Sequence, residues 1–190
     1  MSASTLTFKP RRLPYASQWL ICMDLQREYV VPGRPRYAPK NVEVASACAR
    51  VLAQARTDGW RVVHSQLHDG QSPAEPLSMF GAPIEGLRPL ISEPVFFRRG
   101  LSAFANPAFA SELRGARGED VYLIGFSLSD TCVATTLAGL DEGLRISLIE
   151  DAVGAGATPA LAAAGLTILK PHVRLVSSHK LERRQLEVLS

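Results

Sequence analysis

Apolar and polar positions follow two alternating patterns along this chain. Six short apolar runs stand out: "QWLICMD" (18–24), "WRVVHSQ" (60–66), "EPVFFR" (93–98), "DVYLIGF" (120–126), "RISLIED" (145–151) and "HVRLVSS" (172–178). Runs of that length, without strict in-out alternation, are the mark of strands buried on both faces. Between most of them lie segments with apolar residues at helical spacing, at 41–59, 107–118, 132–143 and 158–169. The first ends on Asp58 and Gly59, a C-cap signal, and Pro159 stands where the last would make its first turn. This alternation predicts a three-layer α/β/α domain around a central, mainly parallel six-stranded sheet, Rossmann-like in build. Two stretches rich in proline and glycine, 30–40 and 68–91, are expected to be surface loops.

Composition narrows the class without changing the fold. A chain of 190 residues with 46% hydrophobic and 21% charged content suits one well-buried domain, expected over 17–190. Residues 1–16 lack the apolar middle of a secretory signal and read as a flexible arm. No apolar run approaches the roughly 18 residues of a membrane span, so no membrane partner is expected. The net charge is +3, and the basic residues are scattered, with no aromatic-interleaved patch that would engage nucleic acid. The 3 cysteines form no CxxC pair and no even framework, which fits a reducing, cytoplasmic location.

In sheets of this kind, sites form at the carboxyl ends of the strands. The first run ends at Asp24 and the third at Arg98 and Arg99. The fourth reaches Gly125, and a short loop then leads to Cys132 at the start of a helical segment. A carboxylate, a fixed cation and a thiol are thereby delivered to one edge. The positive end of a helix dipole favours a thiolate, and a nearby carboxylate can take a thiol proton. Cys22, inside the first run, and Cys48, on the apolar side of the first helical segment, read as small core residues. By spacing alone the three strand ends define a candidate cysteine hydrolase and no substrate.

Three stretches carry a resemblance to a known family. "ICMDLQREYV" is similar to a first strand ending D-x-Q-x-x-aromatic, "FFRRGLSAF" to a K-x-x-x-S-A-F segment, and "GFSLSDTCVATTLAGLDEGLRISLIEDAVGA" to a nucleophile segment with C-V-x-x-T. Together they resemble the isochorismatase-like cysteine hydrolases, which include nicotinamidases and N-carbamoylsarcosine amidases. The resemblance implies strand order 3-2-1-4-5-6 and an Asp-Lys-Cys triad. Asp24 matches the proton acceptor. Cys132 matches the nucleophile, which cleaves a C–N bond of a small amide or carbamoyl compound through a thioester. It also implies a cis peptide, placed by position at Ser127–Leu128, with the Leu128 and Cys132 N–H groups as oxyanion donors. Loops 30–40 and 68–91 would cap the substrate pocket, with Tyr29, His68, Phe104 and Phe126 as candidate lining residues. A homo-oligomer, dimer or tetramer, and no cofactor complete the expectation.

The chain departs from that pattern in three places. Arg98 stands where the family has its triad lysine; a planar, permanently charged fork can hold Asp24 ionised but cannot shuttle a proton. Gly125 stands seven residues before Cys132, where many relatives have six. The nicotinamidase metal motif, Asp-x-His after the second strand, is replaced by "VVHSQLHDG", with Leu67 in the aspartate position. His64 and His68 are four apart, a spacing that joins ligands on a helix but not on a strand, so no metal is expected. His172 and His179 carry no partner pattern. A family member that binds or scaffolds without turnover is the alternative reading, favoured by the missing lysine. Vinyl-ether hydrolysis, which needs no nucleophilic cysteine, is disfavoured by Cys132.

Overall fold

The computed structural model describes residues 18–68, 81–156 and 158–181. The expected N-terminal arm and residues 69–80 of the second loop lie outside the described residues. The strands are β1 (Gln18–Met23), β2 (Arg61–Leu67), β3 (Val95–Arg98), β4 (Asp120–Gly125), β5 (Arg145–Val153) and β6 (Arg174–Val176). They form one 6-stranded sheet in the order β3-β2-β1-β4-β5-β6, and every registered pair is parallel. The helices are α1 (Asn41–Thr57), α2 (Pro107–Leu113), α3 (Thr131–Asp141) and α4 (Pro159–Leu169).

The two-sided burial inferred from the unbroken apolar runs is what the sheet shows. In β1, Leu20 and Cys22 face one cluster together with Cys48, Val51 and Leu52 of α1. Trp19, Ile21 and Met23 face the other, with Phe109 of α2, Cys132 of α3 and Leu169 of α4. Alternate side chains of each strand therefore enter different cores, so no residue of the strand can be polar without a partner. Cys22 and Cys48 are core residues, and the Cys48 Sγ donates to the Ala152 carbonyl at 3.1 Å.

Gly125 decides where the chain goes after β4. Its φ is +114°, and a Cβ there would stand 1.9 Å from the Met23 carbonyl oxygen. Only glycine lets the backbone cross so close to the end of β1. Phe126 N then donates to Met23 O at 2.9 Å, which lays the following loop across the strand tip where Asp24 stands.

At the far side of β2, Glu93 accepts Arg56 Nε (2.8 Å) and Nη2 (2.9 Å), Leu90 N (2.9 Å) and His64 Nε2 (3.0 Å). Burial would raise the Glu93 pKa, but these donors bring it down to about 2, below its ordinary 4.5. Burial lowers that of His64, which stays a neutral donor despite the carboxylate. A depressed carboxylate stabilises the fold fully above its unfolded value and loses that contribution as pH falls toward the folded one. Glu93→Gln is accordingly expected to cost on the order of 2 kcal/mol at neutral pH. In urea titrations the difference from the parent chain should shrink as pH is lowered from about 4.5 toward about 2.

Candidate active site

Asp24 follows β1 with φ +44°, a left-handed conformation that aspartate tolerates better than most residues. Its backbone N–H donates to Ser65 O at 2.9 Å and its carbonyl accepts Gln26 N at 2.6 Å. The turn aims the carboxylate back at the neighbouring strand tips. There Oδ1 accepts Leu67 N at 2.7 Å and Oδ2 accepts Arg98 Nη2 at 2.5 Å, while the Tyr29 hydroxyl lies 3.5 Å from Oδ2. Arg98 reaches this position because the β2–β3 register pairs it with Leu67. Gln26 fixes the same corner, donating from Nε2 to Leu67 O (3.1 Å) and Gly81 O (2.8 Å). Both members of the Asp24–Arg98 ion pair have side chains with no solvent exposure. Within that pair, the Arg98 Nε and Nη1 groups are buried without a hydrogen-bond partner.

Cys132 is the second residue of α3. The helix is capped by Asp130, whose Oδ1 accepts Thr131 N (2.6 Å) and Ser127 Oγ (2.5 Å). The thiol is fully buried on the Met23, Val63 and Leu128 side of the sheet. Asp24 and Arg98 supply its two largest electrostatic influences, which brings the three strand-end residues into one cluster. Burial pushes the Cys132 thiol well above its ordinary value, the Asp24 charge adds to this, and Arg98 only partly opposes it. Desolvation thus opposes the thiolate that the helix N-terminus favours. Burial also raises Asp24, offset in part by Arg98, the Leu67 N–H and the more distant Arg36. The resting site is a neutral thiol facing an ion pair. Iodoacetamide labelling of Cys132 is therefore expected to be at least about tenfold slower at neutral pH than that of an exposed cysteine. The labelling rate should rise only above the ordinary thiol range, as peptide mapping across a pH series would record.

The loop between Gly125 and Cys132 corrects two further expectations. The cis peptide is Phe126–Ser127, one residue earlier than Ser127–Leu128. Leu128 N and Cys132 N, the expected oxyanion donors, are engaged within the chain. Leu128 N donates to Gly154 O at 2.7 Å and Cys132 N to Ser127 O at 2.9 Å. Ser127 N likewise donates to Thr131 Oγ1 at 2.8 Å.

The four expected lining residues separate. Tyr29 is buried beside Asp24, and burial together with that carboxylate pushes its hydroxyl pKa up. Phe126 is fully buried and stacks on Tyr29 with centroids 5.0 Å apart, in the α1-side core. The tight Gly125 crossing turns its side chain inward. Phe104 packs edge-on against Phe109 at 5.1 Å, in the opposite cluster. His68 sits at the mouth. Its backbone N–H donates to Arg98 O at 2.9 Å, and it lines a pocket of about 250 Å³ together with Phe97, Arg98 and Arg99. Two residues escaped sequence reasoning. Arg36, from loop 30–40, places Nη1 3.4 Å from the Tyr29 hydroxyl and 3.9 Å from Asp130 Oδ2. Asp130 itself carried a readable signal, the Ser-Asp-Thr that opens a helical run.

The nicotinamidase type of metal site does not fit these residues. Leu67 offers no ligand and the His64 Nε2 is held by Glu93, and among the described residues no group of three His, Cys, Asp or Glu side chains could hold an ion. No described helix is long and apolar enough to cross a membrane.

Residues 18–180 match the isochorismatase domain. Maleamate amidohydrolase of Pseudomonas putida is 28% identical over 151 residues, covering 71% of this chain and 71% of that protein. The crystal structure of a cysteine hydrolase from Pseudomonas syringae superposes with a TM-score of 0.77 at 16% identity, covering 96% of this chain and 98% of the other. The N-carbamoylsarcosine amidase of Thermoplasma acidophilum gives a TM-score of 0.70 at 20% identity, covering 85% and 96%. At those identities the structures speak for the fold alone.

Proposed function

We propose that this chain, which belongs to the isochorismatase family, hydrolyses the C–N bond of a small amide or carbamoyl compound through a thioester on Cys132. The observation that carries the proposal is the grouping of a buried thiol with a buried Asp24–Arg98 pair at the carboxyl edge of the sheet. In the reading offered here, Asp24 takes the proton of Cys132 as the sulfur attacks the carbonyl carbon. The resulting acid then protonates the leaving nitrogen as the C–N bond breaks. Water attacks the thioester, gives its proton to Asp24, and releases the acid product with the thiol restored. The steps consume one water and regenerate every protein group. Arg98 opposes the rise in the Asp24 pKa that burial imposes.

The relative's substrate, maleamate, pairs a primary amide with a carboxylate, and the pocket lined by His68, Phe97, Arg98 and Arg99 is the place proposed for such a molecule. A panel of small primary amides, carbamoyl compounds and maleamate, assayed for ammonia release, tests the proposal. Turnover that vanishes in Cys132→Ala supports it, and no release from any member would favour the binding reading that the arginine at 98 keeps in play. A dimer or tetramer in a reducing compartment belongs to the same proposal, and sedimentation velocity of the full chain decides the assembly.

A further inference from the structure

Arg98 has more donors than Asp24 uses. Nη2 is spent on the carboxylate, whereas Nε and Nη1 are buried and unpaired. A buried guanidinium N–H without an acceptor is costly, and such groups persist mainly where a ligand completes them. The backbone donors expected to receive the substrate oxygen have acceptors already: Gly154 O for Leu128 N, Ser127 O for Cys132 N, and Thr131 Oγ1 for Ser127 N. Arg98 is among the residues that line the about 250 Å³ pocket with His68 and Phe97, and its own side chain is wholly buried.

We propose that Arg98 is the oxyanion-stabilising group of this site, binding the carbonyl oxygen through Nε and Nη1 in place of a backbone N–H pair. The inference rests on the cysteine-hydrolase reading above. Charge bookkeeping supports it. At rest the anion that balances Arg98 is Asp24. When the Cys132 sulfur attacks, its proton passes to Asp24, the S–C bond forms, and the carbonyl π pair moves onto oxygen. Asp24 is then neutral and the negative charge sits on the substrate oxygen. The guanidinium exchanges one partner for the other without any change in the net charge of the closed site. Its attraction therefore strengthens as the transition state is approached, which is the condition for raising the rate rather than the affinity. A lysine ammonium is a point charge, whereas the fork can hold the carboxylate and the oxyanion on different N–H groups at once.

The test separates this role from that of merely keeping Asp24 ionised. Arg98→Gln retains an amide donor for Asp24 Oδ2 and removes the cation. With p-nitrophenyl acetate as the acylating probe, nitrophenolate release that depends on Cys132 is expected to fall about 100-fold or more. The deficit should persist from about pH 6 to about pH 9, because an oxyanion needs the cation at every pH. If Arg98 only tunes Asp24, the variant would recover the parent rate once pH exceeds the aspartate pKa, and that recovery would overturn the proposal. Should Arg98→Gln fail to fold, a structure of the unaltered chain with propionaldehyde condensed on Cys132 gives the answer directly. The hemithioacetal oxygen is expected within about 3.1 Å of Arg98 Nε or Nη1. An oxygen seated instead on the Leu128 or Cys132 N–H would overturn the assignment. Nitrophenolate release unaffected by Cys132→Ala in the parent would remove the hydrolase reading itself, and the inference with it.

Discussion

Cys132→Ala is expected to abolish Cys132-dependent hydrolysis, lowering kcat by about 10⁴-fold or more while leaving the fold intact. The size follows from the chemistry, since no other described nucleophile stands with Asp24 and Arg98 at the carboxyl edge. Cys22 and Cys48 are locked in the α1-side core and cannot substitute. The fold should tolerate the change because the removed sulfur is a small group in an apolar cluster, a loss on the order of 1 kcal/mol. Cys132→Ser is the more informative partner. A serine hydroxyl is a far weaker acid than a thiol, so Asp24 would have to accept its proton at a much steeper cost. Burial already disfavours ionisation at this position. Serine is therefore expected to behave nearly as badly as alanine, as ammonia-release assays with matched thermal melts would show. Serine activity near the parent level would mean that attack does not start from residue 132.

How far the sequence alone discloses this arrangement depends on whether a feature is local. The strands were legible because two-sided burial writes an unbroken apolar run, and Asp24, Arg98 and Cys132 because each ends or follows such a run. Strand order was legible only through the resemblance. What escaped depends on distances that no spacing encodes. The raised pKa of Cys132 follows from complete burial near a carboxylate, which the helix position visible in the sequence does not disclose. The cis bond lies at Phe126–Ser127, one residue before the position that counting back from Cys132 gave. Phe126 reads as a site aromatic next to a strand tip, yet the Gly125 crossing turns it into the core against Tyr29. Arg36 lies in a proline-rich loop with no periodicity, so nothing in the chain announces that it reaches Tyr29 and Asp130.

Asp24→Asn is expected to remove activity and to cost stability at the same time, and the two losses have separate causes. Asparagine keeps an oxygen for the Leu67 N–H but cannot accept a proton from Cys132, so kcat should drop by about 10³-fold or more. Arg98 then loses its only anionic hydrogen-bond partner among the described residues while its side chain stays wholly buried. Breaking one side of a buried pair in this way costs about 3–5 kcal/mol, readable as a lower urea midpoint at unchanged slope. The pH dependence fixes the sign. Burial holds the folded-state pKa of Asp24 above its ordinary 3.8, so the parent chain needs a pH above that raised value for Asp24 to act as a base. The parent kcat/KM should therefore fall as pH drops through it. If Asp24 is the base, that acidic limb vanishes from the residual activity of the asparagine variant, because no group remains there to titrate. Persistence of the same limb in Asp24→Asn would assign it to another residue and take Asp24 out of the proton transfer.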